Sequence, residues 1–194
     1  PLMNTGIGNY RWVIVLLLFT ATTINYLDRQ VIGLLKDNLS QEFNWSETDY
    51  SNIVMAFSAA YAIGYLLFGR IIDHVGTKLG YTISVVLWSV AAMAHAWARS
   101  TGGFVIARTA LGLSEGGNFP AAIKAVSEWF PKKERAFATG LFNSGTNVAA
   151  MAGPPLIAWI YTSYGWKEAF LWTGAVGFIW LIFWYIFYDI PSKK

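Results

Sequence analysis

Six long apolar stretches, separated by short links rich in helix breakers, leave this chain few folds to choose from. They cover residues 12–35, 49–71, 79–98, 104–130, 136–162 and 169–188, and each holds 20 to 27 residues. A helix needs about 20 apolar residues to cross the hydrocarbon of a bilayer. Backbone amides in lipid must pair within their own segment, and an unbroken apolar run does so as a helix. Short stretches of alternating polarity, the mark of a membrane barrel, are absent. Only 13% of the 194 residues are charged, against about 25% in a soluble domain. The reading is an all-α membrane protein: a tail at 1–9 followed by six transmembrane helices within 10–190.

The short links support that reading. Ser46-Glu47-Thr48-Asp49 has the spacing of a capping box opening the second helix. The first apolar run lacks a small-residue cleavage site, so it reads as a retained helix rather than a signal peptide. Pro1 and Leu2 stand ahead of Met3 and read as foreign to the natural start. Without cysteine, disulfides and thiolate metal sites are excluded. No cofactor is indicated. A net charge of +3 in scattered clusters gives no footing for nucleic acid.

Arg11, Arg70, Lys78, Lys124, Lys132, Lys133, Arg135, Lys193 and Lys194 fall at one side of the expected bundle, and Lys36, Arg99 and Lys167 at the other. This asymmetry puts both termini in the cytoplasm. Trp12, Trp45, Trp97, Trp129 and Trp166 stand near the expected interfaces, as an aromatic belt would place them.

Away from the span ends four charges remain: Asp28, Arg29, Arg108 and Glu115. A charge at the bilayer centre costs about 2.5–3.5 kcal/mol on insertion scales, so such groups face a protein interior or a wet cavity. Arg108 and Glu115 lie seven residues apart, two turns along one helix face and roughly 10 Å in depth. Two guanidiniums at similar depth suit a carboxylate gripped from two helices, and a nearby carboxylate in low dielectric is poised to titrate. The same four groups also make sense as an internal ion-pair network. In the fifth span Thr139, Asn143, Thr146 and Asn147 share a face, as helix–helix glue or as substrate contacts. Tyr26 and Tyr61 offer hydroxyls to a sugar, or simply pack.

Between the second and third spans, Gly69-Arg-Ile-Ile-Asp73-His74-Val-Gly76-Thr-Lys78 reads G-x-x-x-D-x-x-G-x-K. Gly69 allows close backbone approach, Gly76 a turn other residues resist, and Asp73 faces a helix N-terminus or a cation. Gly112-Leu-Ser114-Glu-Gly116 reads G-x-S-x-G, the spacing of a serine hydrolase. Its nucleophile would need a base, and His74 and His95 both lie at helix ends. An intramembrane serine protease and an anion channel are therefore the weaker alternatives to a carrier.

The link at 69–78 resembles the helix 2–3 motif of the major facilitator superfamily, with His74 in place of its usual basic residue. Arg108-x-x-x-Gly112 and Gly153-Pro154 are similar to further marks of it. Asn25-Tyr26-Leu27-Asp28-Arg29, the run from Arg108 to Glu115, and Glu128-Trp129-Phe130-Pro131 with Glu134-Arg135 resemble its anion:cation symporter family. Gly76-Thr-Lys-Leu-Gly-Tyr81 and Ser127-Glu-Trp-Phe130 are most similar to the hexuronate branch.

The resemblance covers all six helices and carries several expectations. It implies the amino-terminal half, a 3+3 inverted repeat, of a twelve-helix fold with substrate held at the midplane. Residues 191–194 would begin the central cytoplasmic linker. It implies substrate contact by Arg29, Arg108, Tyr26 and Tyr61, and proton coupling at Asp28 and Glu115; the face of Asn143, Thr146 and Asn147 is expected to add substrate contacts on its own spacing. It implies a gate at Gly69, Asp73, Gly76 and Lys78. The expected partners are a small organic anion, protons, the lipid bilayer and the missing carboxyl-terminal half, in a bacterial inner membrane. The expected activity is proton-coupled symport of a hexuronate such as galacturonate or glucuronate, with galactonate and glucarate as near rivals. No enzymatic activity is expected.

Overall fold

A computed structural model of the chain describes residues 8–191. Most of the expected tail, and Lys193 and Lys194 of the expected linker, lie outside the described residues. The described chain is helical almost throughout. In order run α1 (Tyr10–Leu34), α2 (Lys36–Phe43), α3 (Glu47–Val75), α4 (Thr77–Ala94), α5 (Thr101–Glu115), α6 (Asn118–Trp129), α7 (Arg135–Asn143), α8 (Gly145–Tyr164) and α9 (Trp166–Phe187). Short 3-10 turns occupy His95–Trp97 and Lys132–Glu134. Four of these elements are long and apolar enough to cross a membrane: Tyr10–Leu34, Glu47–Val75, Thr77–Trp97 and Trp166–Phe187.

The fourth and fifth expected spans are each divided, and the sequence supplies the reason. Pro120 has no N–H to give Gly116, and its ring crowds that carbonyl, so α5 stops at Glu115 and α6 starts at Asn118. The backbone at Gly116 and Gly117 keeps right-handed helical angles through the break. Nearby carbonyls are taken by side chains of other helices. Ser84 Oγ of α4 donates to Ser114 O at 2.6 Å, and Asn25 Nδ2 of α1 donates to Glu115 O at 3.4 Å. The second division, between α7 and α8, falls at Ser144, beside Gly145. A Cβ on Gly145 would stand 2.6 Å from Phe19 O of α1.

The link expected at 36–45 also differs, for it contains α2. Leu39 is wholly buried on its inner side, packed in one cluster with Trp45, Phe104 and Phe170. Asn44 ends α2 in the left-handed conformation at φ 57°, and α3 opens on the expected capping box. Ser46 Oγ accepts from Asp49 N at 3.1 Å, and Asp49 Oδ2 accepts from Ser46 N at 3.0 Å.

Close packing of α3 on α5 rests on small residues, as expected where helices associate without a hydrophobic driving force. A Cβ on Gly64 would meet Leu113 O at 2.1 Å, and one on Gly112 would meet Phe57 O at 2.5 Å. Backbone atoms cannot step aside, so Gly64→Val forces the two helices apart. Overpacking costs about 1–3 kcal/mol, and the expected result is a melting temperature in detergent lower by at least several degrees. An unchanged melting curve would contradict this packing.

Two buried clusters fill the bundle. The larger includes Tyr81, Trp88, Trp180 and Trp184; the smaller, at the end holding α2, includes Trp45, Phe104 and Phe170. Of the five tryptophans expected in a belt, Trp12 and Trp97 are exposed, Trp166 is half-buried, and Trp45 and Trp129 are buried. Trp45 turns inward to Phe104, ring centroids 5.0 Å apart. Trp129 turns inward to donate to Asp189 O at 3.1 Å.

Candidate functional site

A pocket of about 430 Å³ opens between α1, α3 and α5, lined by Arg29, Gly33, Tyr50, Val54, Phe57, Ser58, Tyr61 and Arg108. Its size falls in the usual range for small-molecule sites. Both intramembrane arginines reach it, from different helices.

Arg29 is held on several sides. Its Nε donates to Glu115 Oε2 at 3.3 Å and its Nη2 to Asn25 Oδ1 at 3.0 Å. The guanidinium carbon lies 4.3 Å from the ring centre of Tyr26, 4.6 Å from Tyr61 and 5.3 Å from Phe57. Such stacking suits the flat, weakly hydrated guanidinium. Arg108 donates from Nη2 to Arg29 O at 3.0 Å, and its own guanidinium lies 5.5 Å from the Phe57 ring. Glu115 is wholly buried, with Oε2 on Arg29 and Oε1 without a hydrogen-bond partner among the described residues. Arg29, Arg108 and Glu115 thus form one cluster with more positive than negative charge, open to a cavity.

Asp28 faces elsewhere. It is 2% exposed, does not line the pocket, and neither carboxylate oxygen has a hydrogen-bond partner among the described residues. It turns toward Thr173 of α9 and lies within electrostatic reach of Arg108 and Glu115. One residue step on a helix turns the side chain by about 100°, and this separates Asp28 from Arg29. The four charges are neighbours, but the expected network reduces to one ion pair, Arg29–Glu115.

Tyr61 lines the pocket, whereas Tyr26 meets it through the back of the Arg29 guanidinium. Asn143, Thr146 and Asn147 do not line it. Thr146 Oγ1 donates to Asn143 O at 2.9 Å, and Asn143 and Asn147 are exposed on an open face. Gly33, Tyr50, Val54, Phe57 and Ser58 were not singled out from the sequence. The α3 members recur at three- and four-residue spacing with Tyr61, so the helical period carried their signal.

At the opposite end, Asp73 Oδ1 pairs with Lys124 Nζ at 2.8 Å, and Gly76 takes φ 89°, a conformation favouring glycine. Lys78 Nζ donates to Tyr185 O at 3.3 Å. The close approach expected at Gly69 is not made among the described residues: nothing stands within 4 Å of its added Cβ. Ser114 has no base. Its hydroxyl donates to Ala110 O at 2.7 Å, and His95 Nδ1 is spent on Ala91 O at 2.8 Å.

The sequence profile described as Major Facilitator Superfamily matches residues 18–194. The chain belongs to the major facilitator superfamily. It is 42% identical to the hexuronate transporter of Escherichia coli strain K12 over 188 residues, 97% of this chain and 44% of that protein. It is 39% identical to the galacturonate transporter of Dickeya chrysanthemi, over 97% of this chain and 54% of that one. A probable galactarate/D-glucarate transporter of Bacillus subtilis is 32% identical over 90% of this chain and 40% of its own length. The chain therefore spans about half or less of the curated relatives it matches. Its fold matches a bacterial homolog to human lysosomal transporter Spinster, inward-facing and unoccupied, with a TM-score of 0.80 and 21% identity, covering 94% of this chain and 44% of that structure. These relatives are transporters, and this superfamily member is not an enzyme.

Proposed function

We propose that this chain is the amino-terminal half of a twelve-helix, proton-coupled symporter for a sugar-acid anion, with a hexuronate such as galacturonate or glucuronate as substrate. On this reading it contributes six spans to a bacterial inner-membrane carrier, α5 with α6 and α7 with α8 each forming one broken span, arranged as a 3+3 inverted repeat with both termini cytoplasmic. The observation that supports it best is the meeting of Arg29, Arg108 and Glu115 on one pocket. Two guanidiniums supply fork-shaped donors for a carboxylate, and the tyrosine hydroxyls and Ser58 suit the sugar's own hydroxyls. A buried glutamate already paired to one of those arginines offers the exchange that coupling needs.

In this mechanism a proton taken up by Glu115, with a second acid at Asp28, weakens its hold on Arg29. The substrate carboxylate then replaces it. Each proton taken up removes one negative charge from the site, and the substrate carboxylate restores one before the two halves rock around it. Asn143, Thr146 and Asn147 would meet substrate or the second half from their open face, and Gly69 would receive a helix of that half while Asp73, Gly76 and Lys78 hold the gate. One half offers only one wall of such a site, so this chain alone is expected to be inactive in proteoliposomes.

The test is a thermal-shift and uptake panel on the full-length protein containing this chain. Galacturonate and glucuronate are expected to raise its melting temperature and to enter vesicles faster with an inward proton gradient. Stabilisation by galactonate or glucarate alone would reassign the substrate, and uptake indifferent to protons would refute symport.

A further inference from the structure

Behind the pocket lies a second polar cluster. His95 is wholly buried in the 3-10 turn after α4. Its Nδ1 bonds Ala91 O at 2.8 Å and Ala92 O at 3.2 Å. A carbonyl only accepts, so Nδ1 carries the proton and neutral His95 presents a bare lone pair at Nε2. That Nε2 is buried and has no hydrogen-bond partner among the described residues. The ring is fixed in plane against Phe170 of α9, 4.9 Å away and 8° from parallel. Phe104 of α5 lies beside both rings, its centroid 6.2 Å from His95 and 6.3 Å from Phe170.

Both neighbours lead inward to charge. Phe104 and Arg108 are four residues apart, one above the other on the same face of α5. Phe170 and Thr173 are three apart on α9, and Thr173 is the residue Asp28 faces. His95 therefore caps two parallel ladders that end at Arg108 and Asp28. Arg108 has one guanidinium nitrogen, Nη1, that is buried and unpaired, while both Asp28 oxygens are unpaired acceptors. One unmet donor on α5 thus lies within electrostatic reach of unmet acceptors on α1 and at the end of α4. Buried polar groups of this kind are rarely left alone, and bridging water commonly joins them. The charged group within electrostatic reach of His95 is Arg108 from α5; Asp28 of α1 and Glu115 are in turn within reach of Arg108.

We infer that His95 is a positioning residue for Arg108, its Nε2 accepting from the rear of the guanidinium through water and so keeping Arg108 turned toward the pocket. This rests on the anion-binding reading of that pocket. Asp28 shares the task while ionised. Once Asp28 takes a proton it becomes a weaker, neutral acceptor, and His95 keeps Arg108 oriented at the moment an anion binds. No bond forms or breaks at His95.

The test compares His95→Leu, which removes the acceptor, with His95→Gln, which restores one near the Nε2 position, in the full-length protein. Galacturonate uptake in His95→Leu is expected to show KM raised about tenfold, the size of a lost hydrogen bond to a charged group, with kcat within twofold. His95→Gln is expected within threefold of the parent in both. Phenylglyoxal, which reacts with guanidinium groups, reads Arg108 without any substrate. By peptide mass spectrometry its modification is expected to be several-fold faster in His95→Leu and nearly unchanged in His95→Gln. Equal KM and equal modification rate in His95→Leu and the parent would overturn the assignment. So would a His95→Gln as impaired as His95→Leu, since shape rather than the acceptor would then be what counts. If the parent protein binds no sugar acid at all, the functional reading fails, and the modification rates decide the role of His95 alone.

Discussion

Arg108→Ala in the full-length protein is expected to weaken sugar-acid binding by thirtyfold or more. Truncating one partner of a buried charged pair costs about 2–5 kcal/mol, and each 1.4 kcal/mol is tenfold in affinity. The substitution removes more than a charge. It deletes the donor to Arg29 O, so the α1 backbone that presents Arg29 loses a brace from α5. It also leaves Glu115 with a single arginine in reach. Arg108→Lys is expected to recover little, because an ammonium cannot hold Arg29 O and a carboxylate in one plane. Calorimetric titration with galacturonate measures both. Affinity within threefold of the parent in Arg108→Ala would remove this residue from the anion site.

Glu115→Gln is expected to separate binding from coupling. Glutamine has nearly the same shape and keeps an oxygen for Arg29, so the pocket should close around its ligand as before. The titrating group is gone. Proton-driven accumulation should fall to the passive level, while counterflow exchange of labelled for unlabelled substrate persists within a few-fold. Vesicle assays with and without an imposed pH gradient read the two quantities on one preparation. If Glu115→Gln loses as much affinity as Arg108→Ala, the glutamate serves binding and the proposed division of labour is wrong.

Much of this fold is legible in the order of residues because lipid simplifies the problem. Length and apolarity alone place α1, α3, α4 and α9, and the Ser46–Asp49 box and Gly76 mark ends that depend only on local backbone chemistry. Where one helix meets another is less legible. In a soluble helix the polar face points outward, but here lipid-facing and protein-facing positions are equally apolar. Leu66 is 73% exposed and Phe68 3% exposed, and nothing in either residue says so. The same ambiguity hid Tyr50, Val54 and Phe57 from the pocket. Asp28 and Arg29 were legible as costly charges, yet their divergence depends on how α1 is rotated against α9. The breaks at Gly116 and Ser144 were missed for another reason. A run counted by hydropathy does not register that Pro120 withholds an N–H.

The interruption next to Glu115 has a consequence for how this bundle can deform. Bending an intact rod in oil would uncover carbonyls with nothing to bond, so intact spans resist. Between Glu115 and Asn118 the rod is already parted, and Ser84 and Asn25 hold the loose oxygens from two directions. Flexure there needs only a change of partner among neighbours, without any naked dipole meeting acyl tails. The acidic side chain expected to gain and lose a proton sits at that pivot, so a change in its charge acts where the scaffold yields most easily.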